Sequence, residues 1–266
     1  DWCGPSQSRQ STGILNHEWF QIQGGDGFVA IPDRRDPRWI YSETQDGNII
    51  RRNKVTGESK QIRPAPASFN VSPAPAKGET YRWHWDTPMI ISPIDPSTLI
   101  VAANKVFVSK DRGDSWTVVS PDLTTNVSRD SIVTMGVKGS DIRLSRDDGV
   151  SQWPAIVALA ESPRLKGLYY TGSEDGLVFV SRNAGKTWQD ITKNIPMFPA
   201  GGFVSEVVPS LYDNGTVYVT VDNHRLNDYA PYIWVSRDFG QTFRSLVNNL
   251  VGENVRTLIE DHRNRD

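Results

Sequence analysis

Val106-Phe107-Val108-Ser109-Lys110-Asp111-Arg112-Gly113-Asp114-Ser115-Trp116 is repeated in pattern twice more. The copies are Val178-Phe179-Val180-Ser181-Arg182-Asn183-Ala184-Gly185-Lys186-Thr187-Trp188 and Ile233-Trp234-Val235-Ser236-Arg237-Asp238-Phe239-Gly240-Gln241-Thr242-Phe243. Each reads as a β-branched and aromatic strand running into Ser-x-Asp/Asn-x-Gly-x-Ser/Thr-Trp/Phe, with another short strand after it. The Asp or Asn can accept hydrogen bonds from the N–H groups of its own turn, and the Gly supplies the positive φ that closes a hairpin. The ring at the end is large enough to wedge into a neighbouring layer. On this reading Ser109, Asp111, Gly113 and Trp116, Ser181, Asn183, Gly185 and Trp188, and Ser236, Asp238, Gly240 and Phe243 are structural residues.

Working outward, the same prelude precedes each box: a Pro-containing turn, a strand, a tight turn and the strand that enters the box. Asp95-Pro96 leads to Leu99-Ile100-Val101, and Ser162-Pro163 leads to Leu168-Tyr169-Tyr170 and Glu174-Asp175-Gly176. A degenerate copy lies upstream, with Asp36-Pro37, Trp39-Ile40-Tyr41 and Gln45-Asp46-Gly47, its box reduced to Arg52-Asn53-Lys54-Val55-Thr56-Gly57. The unit is a four-stranded meander. Copies span 24–63, 84–120, 154–194 and 202–248, with 253–266 reading as the start of a further one and 1–23 as the last strand of a preceding one. A meander cannot bury both faces alone, so the copies must pack against one another, and a radial arrangement is the usual solution. The expected fold is all-β: a β-propeller of four-stranded antiparallel blades, incomplete within this sequence. Ser145-Arg146-Asp147-Asp148-Gly149 imitates a box but has one residue too many before Trp153, and it reads as a loop excursion.

The box pattern resembles the Asp-box, or bacterial neuraminidase repeat, and the chain is similar to the propellers of sialidases, xyloglucanases and the sortilin ectodomain. The resemblance implies either a glycoside hydrolase-like, carbohydrate-active protein or a non-catalytic propeller that binds peptide or protein. No arginine triad of the sialidase kind can be assigned, and Gln61-Ile62-Arg63-Pro64 follows a blade instead of preceding the first. A resemblance to bacterial repeat propellers also implies export, to the periplasm or beyond. The fold hosts many functions, so the site has to be argued separately.

Composition narrows the partners. With 29 Lys and Arg against 31 Asp and Glu the formal net charge is −2, so no overall field draws in nucleic acid or an anionic membrane. No apolar run approaches the ~20 residues of a membrane-spanning helix, so no membrane insertion is expected. Cys3 is the only cysteine, which excludes an intrachain disulfide and any multi-cysteine metal site. No cofactor is expected, and no metal-ligand set has diagnostic spacing. The sequons at Asn70, Asn126 and Asn214 carry meaning only in a eukaryotic secretory setting. The expected partners are a glycan or peptide ligand and the remaining blades of the same parent chain.

In a four-stranded blade the turns between first and second and between third and fourth strands share one face. The boxes lie there. The other face receives the long segments Pro64 to Trp83, Pro121 to Trp153 and Asp222 to Pro231. Long loops inside a compact domain are usually functional, so that face is the expected binding face. Candidate catalytic carboxylates at the channel mouth are Asp26, Asp86 and Glu206; a glycosidase needs two, about 5–9.5 Å apart. Candidate substrate-binding residues are Asp46, Trp83, His84, Trp85, Asp222, His224, Arg225 and Asp228. The tryptophans offer flat faces for sugar rings, and the cations can grip hydroxyls or carboxylates.

Overall fold

The computed structural model describes residues 1–64, 73–134, 136–144 and 152–265. The imitation box at 145–149 and the sequon at Asn70 fall outside them. Four antiparallel sheets of four strands follow one another along the chain, each in simple sequential order. Blade one holds β3 (Gly27–Pro32), β4 (Trp39–Thr44), β5 (Asn48–Asn53) and β6 (Ser59–Gln61). Blade two holds β7 (Met89–Ile91), β8 (Leu99–Ala102), β9 (Val106–Ser109) and β10 (Thr117–Val118). A small hairpin, β11 (Val133–Thr134) with β12 (Val137–Lys138), stands in the insertion that follows. Blade three holds β13 (Ile156–Glu161), β14 (Tyr169–Ser173), β15 (Val178–Ser181) and β16 (Gln189–Asp190). Blade four holds β17 (Phe203–Pro209), β18 (Val217–Asp222), β19 (Tyr232–Ser236) and β20 (Arg244–Ser245). Upstream, β1 (Trp2–Cys3) pairs with β2 (Phe20–Gln21).

The first strands β3, β7, β13 and β17 neighbour one another in turn. A register shift just inside the start of β3, β13 and β17 marks a bulge at the same place in three blades, where the chain arrives from the insertion face. The turn after each first strand is built alike. Asp33, Ser92, Ser162 and Ser210 each turn a side-chain oxygen back onto the N–H groups two and three residues on. These Asx- and Ser-turns are why a short polar residue stands there in every blade.

Three buried clusters fill the three junctions between blades. Tyr41, Ile49 and Ile62 meet Trp83, Leu99, Phe107 and Trp116 between blades one and two. Ile100, Val106 and Leu123 meet Ile156 and Tyr169 between two and three. Tyr170, Val178 and Ile191 meet Val204, Val219 and Trp234 between three and four.

The boxes lock these junctions. Ser109, Ser181 and Ser236 each accept the N–H of the Gly four residues on, at 2.8 Å in every case. Asp111, Asn183 and Asp238 accept the N–H of Ser115, Thr187 and Thr242 at 2.8–2.9 Å. Each Gly has φ between +84° and +86°. Each also presses against the residue that follows the last strand of the preceding blade: Gly113 on Ile62, Gly185 on Val119 and Gly240 on Ile191. The Trp116 indole N–H donates to the Ile62 carbonyl at 2.6 Å, and the Trp188 indole N–H to the Val119 carbonyl at 2.8 Å. Phe243 has no such donor. In its blade the bond runs the other way, from the Asn194 amide to the Gly240 carbonyl at 2.7 Å.

Candidate functional site

A cavity of about 560 Å³ opens on the face opposite the boxes. The turn after β14 supplies Glu174 and Asp175, the end of β18 supplies Asp222 and Asn223, and the loop beyond supplies Arg225 and Leu226. Phe203, at the start of β17, forms one aromatic wall. The segment between blades two and three closes the cavity with Val127, Arg129, Ile132, Val133, Ile142 and Trp153.

Glu174 sits at the polar corner. Its side chain is fully buried, and one oxygen accepts the Ala155 N–H at 3.0 Å. The other, Oε2, has no hydrogen-bond partner; His84 Nε2 stands 3.6 Å away and Arg225 Nη1 3.9 Å away. Burial pushes this carboxyl up to about 8, against the Ala155 N–H and the Arg225 charge, which favour ionisation. His84 is shifted the other way, down to about 4 by burial, so both groups are uncharged near neutral pH. Two more buried polar atoms of residues that line the cavity lack partners, Asn223 Oδ1 and the Trp153 indole Nε1. A buried polar atom without a partner costs about 1–3 kcal/mol.

The remaining carboxylates of the cavity are fully engaged. Asp175 accepts from the Ser173 hydroxyl at 2.5 Å and from the Thr125 N–H and hydroxyl at 2.7 and 2.5 Å. Asp222 accepts from the His224 N–H and Nδ1, Asn254 and Arg256. Burial raises its pKa, but the His224 and Arg256 interactions outweigh it and hold the carboxyl below the usual range.

Of the residues expected from sequence, the structure brings Asp222, Arg225 and His84 to or beside this cavity. His84 is held through Nδ1 against the backbone of Asp86 and feels the charges of Asp46, Arg225 and Arg256, which marks the channel mouth. Asp46 is half-buried in its turn at φ +59°, and its carbonyl accepts from Arg63 at 2.6 Å. Asp86 is exposed, with its carboxyl raised by desolvation. Trp85 is half-buried and Asp26 is exposed.

Several placements differ from the sequence expectation. Trp83 is only 2% exposed and lies stacked on Phe107 at 5.6 Å, so its ring is core and presents no face to a sugar. Glu206 is committed elsewhere: its Oε2 accepts the Leu258 N–H at 2.6 Å and the Thr257 hydroxyl at 2.9 Å, clamping the 255–260 segment along β17. Asp228 ties its own loop by accepting from Tyr232 and Asn223. His224 serves Asp222. Glu174, Asn223 and Trp153 stood in segments the sequence singled out as turns and insertions, but nothing local distinguishes them. Their environment is made by Ala155, His84 and Arg225, which arrive from other elements.

No protein-family profile matches the sequence, and no curated protein matches it. Among solved structures the chain is similar to a GH74 enzyme from Niastella koreensis, at TM-score 0.50 and 20% identity over 85% of this chain and 30% of that one. It is also similar to the GH74 xyloglucanase from Xanthomonas campestris, at TM-score 0.50 and 16% identity over 94% of this chain and 32% of that one. The fold is a β-propeller. The chain spans about a third of the length of these structures, and at such identity the likeness is one of fold. Among the described residues no helix is long and apolar enough to cross a membrane, and no cluster of three or more metal-ligating side chains occurs.

Proposed function

We propose that this chain is a glycan-binding propeller module of an exported, glycoside hydrolase-like protein, and that the glycan lies in the cavity between blades three and four. The observation that carries this is the lining of that cavity, which sets the polar residues Glu174, Asp222, Asn223 and Arg225 beside Phe203, Trp153 and aliphatic side chains. A sugar matches that surface, because its hydroxyls both donate and accept while its C–H faces are apolar. The GH74 likeness supports a carbohydrate-active frame. Binding is favoured over hydrolysis because Asp175 and Asp222 are saturated by protein partners and Glu206 holds the C-terminal segment.

A polysaccharide and oligosaccharide array probed with the full chain tests this. At least one glycan is expected to be retained, and Leu226→Arg, at a side chain that is 40% exposed, is expected to abolish retention by filling the cavity. Absence of any retention by the folded chain refutes the reading. A second reading, a peptide ligand, draws on the aliphatic wall of Val127, Ile132, Val133 and Ile142, and predicts binding to hydrophobic peptides on a parallel array.

A further inference from the structure

The end of blade four repeats, position for position, the segment at the end of blade three on which the next box sits. Asp190-Ile191-Thr192-Lys193-Asn194-Ile195 is matched by Ser245-Leu246-Val247-Asn248-Asn249-Leu250. Asp190 and Ser245 each accept the N–H two residues on, at 2.9 and 3.2 Å. Ile191 and Leu246 each donate to a carbonyl near the start of the third strand, Val178 and Ile233, at 2.9 Å, the bond that Ile62 and Val119 make in blades one and two. Ile195 and Leu250 close the turn alike, donating to the Thr192 and Val247 carbonyls at 3.0 and 2.7 Å. Only the covering differs. In blade three Gly240 presses on Ile191, the Asn194 amide donates to the Gly240 carbonyl, and Ile195 is 4% exposed. In blade four Leu250 is 49% exposed, and Asn249, in the place of Asn194, is exposed as well.

The chain beyond follows the path of a first strand. The Ser205 hydroxyl donates to the Val255 carbonyl at 3.2 Å, Glu206 accepts the Leu258 N–H at 2.6 Å, and Glu260 accepts the Leu211 N–H at 2.5 Å. Asp261 then accepts the N–H groups of Arg263 and Asn264 at 2.7 and 3.1 Å, the same turn that follows β3, β7, β13 and β17. A second copy of the chain has no box to offer here. Its three boxes already rest on their own neighbours, and the degenerate turn of blade one has open space beside Gly57.

We propose that residues 246–250 are the seat for the box turn of a fifth blade whose first strand is the 255–260 segment. The seat also specifies the box. The Asn249 carboxamide matches a Gly carbonyl acceptor, as in the box that ends in Phe243, instead of an indole donor. The seat is no part of the cavity, so its test is independent of the glycan reading.

Extending the full chain after Asp266 with a second copy of residues 216–250 tests this. Aligning Asp261 with Ser210 sets that register, and the extension supplies three strands and a Phe-type box. Hydrogen exchange at the Leu250 amide is expected to slow by about tenfold or more relative to the unextended chain. Gly240→Ala made only in the appended copy should remove the slowing. So should Leu250→Arg in the seat, at a side chain exposed enough to leave the unextended chain folded. No slowing on extension overturns the proposal, as does equal slowing with an extension copied from residues 39–63, whose box is degenerate. Protection at Leu250 in the unextended chain that is lost on dilution assigns the seat to a second copy and overturns it too.

Discussion

Replacing Trp116 by Phe isolates the joint between blades one and two. Trp116 is 6% exposed, Ile62 is fully buried, and the 2.6 Å bond from the indole N–H is made to the Ile62 carbonyl. Phe keeps most of the ring and deletes the donor, leaving a buried carbonyl unsatisfied at about 1–3 kcal/mol. The smaller ring removes about 1 kcal/mol of packing in addition, for an expected loss of about 2–4 kcal/mol. Urea denaturation followed by far-ultraviolet circular dichroism should show a lower midpoint at unchanged slope. The melting temperature should fall by about 2–4 °C per kcal/mol. Blade four is the internal control. Phe243 occupies the same position, and the junction bond there comes from Asn194, so Asn194→Ala should cost about 1 kcal/mol while Phe243 tolerates Leu better than Trp116 does. A loss below about 0.5 kcal/mol for Trp116→Phe would refute the idea that the box indole locks the junction.

Gly113→Ala and Gly240→Ala combine a strained φ of +84° or +86° with a Cβ placed 2.7 Å or 2.5 Å from Ile62 or Ile191. Each should destabilise by about 2 kcal/mol or more in the same assay. By contrast Asp95→Ala, which removes exposed contacts with Lys110 and Lys166 together with the bonds that Asp95 accepts from the Ser97 N–H and hydroxyl, should cost about 1 kcal/mol. Glu43 is fully buried and pushed up to about 9 by desolvation, and Glu174 up to about 8. The folded chain therefore holds protons that the unfolded chain releases near pH 4.5, so the stability these two groups contribute is fully present below that value and is lost as pH rises toward 8–9. Urea midpoints measured from pH 5 to 9 should fall, and Glu43→Gln should flatten part of the slope. Glu206→Ala removes the acceptor of the Leu258 N–H and should accelerate hydrogen exchange at that amide without lowering the main transition.

The blade architecture was legible because its signals are local. Ser109, Asp111 and Gly113 build a turn almost entirely from their own backbone neighbours, so three copies in register announce three hairpins. The degenerate box worked for the same reason: Asn53 still accepts the N–H groups of Val55 and Thr56 although the rest of the motif is gone. The face that carries the cavity was legible from insertion length alone. The site residues were harder. Trp83 beside Trp85 reads as a sugar platform, yet Phe107 from another strand takes its face. Glu174 reads as an ordinary turn carboxylate and becomes distinctive only when Ala155, His84 and Arg225 converge on it from three other segments. Periodicity records which side of a strand is covered; it does not record what arrives to cover it.

The direction of the box contacts has a consequence for how such chains grow. Blades two to four each carry a plug, the Gly and the aromatic ring of the third-to-fourth turn, and blades one to three each carry a socket, the residue just past the last strand. Plug and socket belong to one unit but mate between units, always from a later repeat to an earlier one. A tandem duplication of one unit therefore creates a matched joint at once, with no compensating change in its neighbour. Loops on the opposite face stay outside that contact and are free to diverge beyond the residues, such as Trp83 and Leu123, that enter the junction cores. The separation lets recognition drift while assembly is conserved by construction.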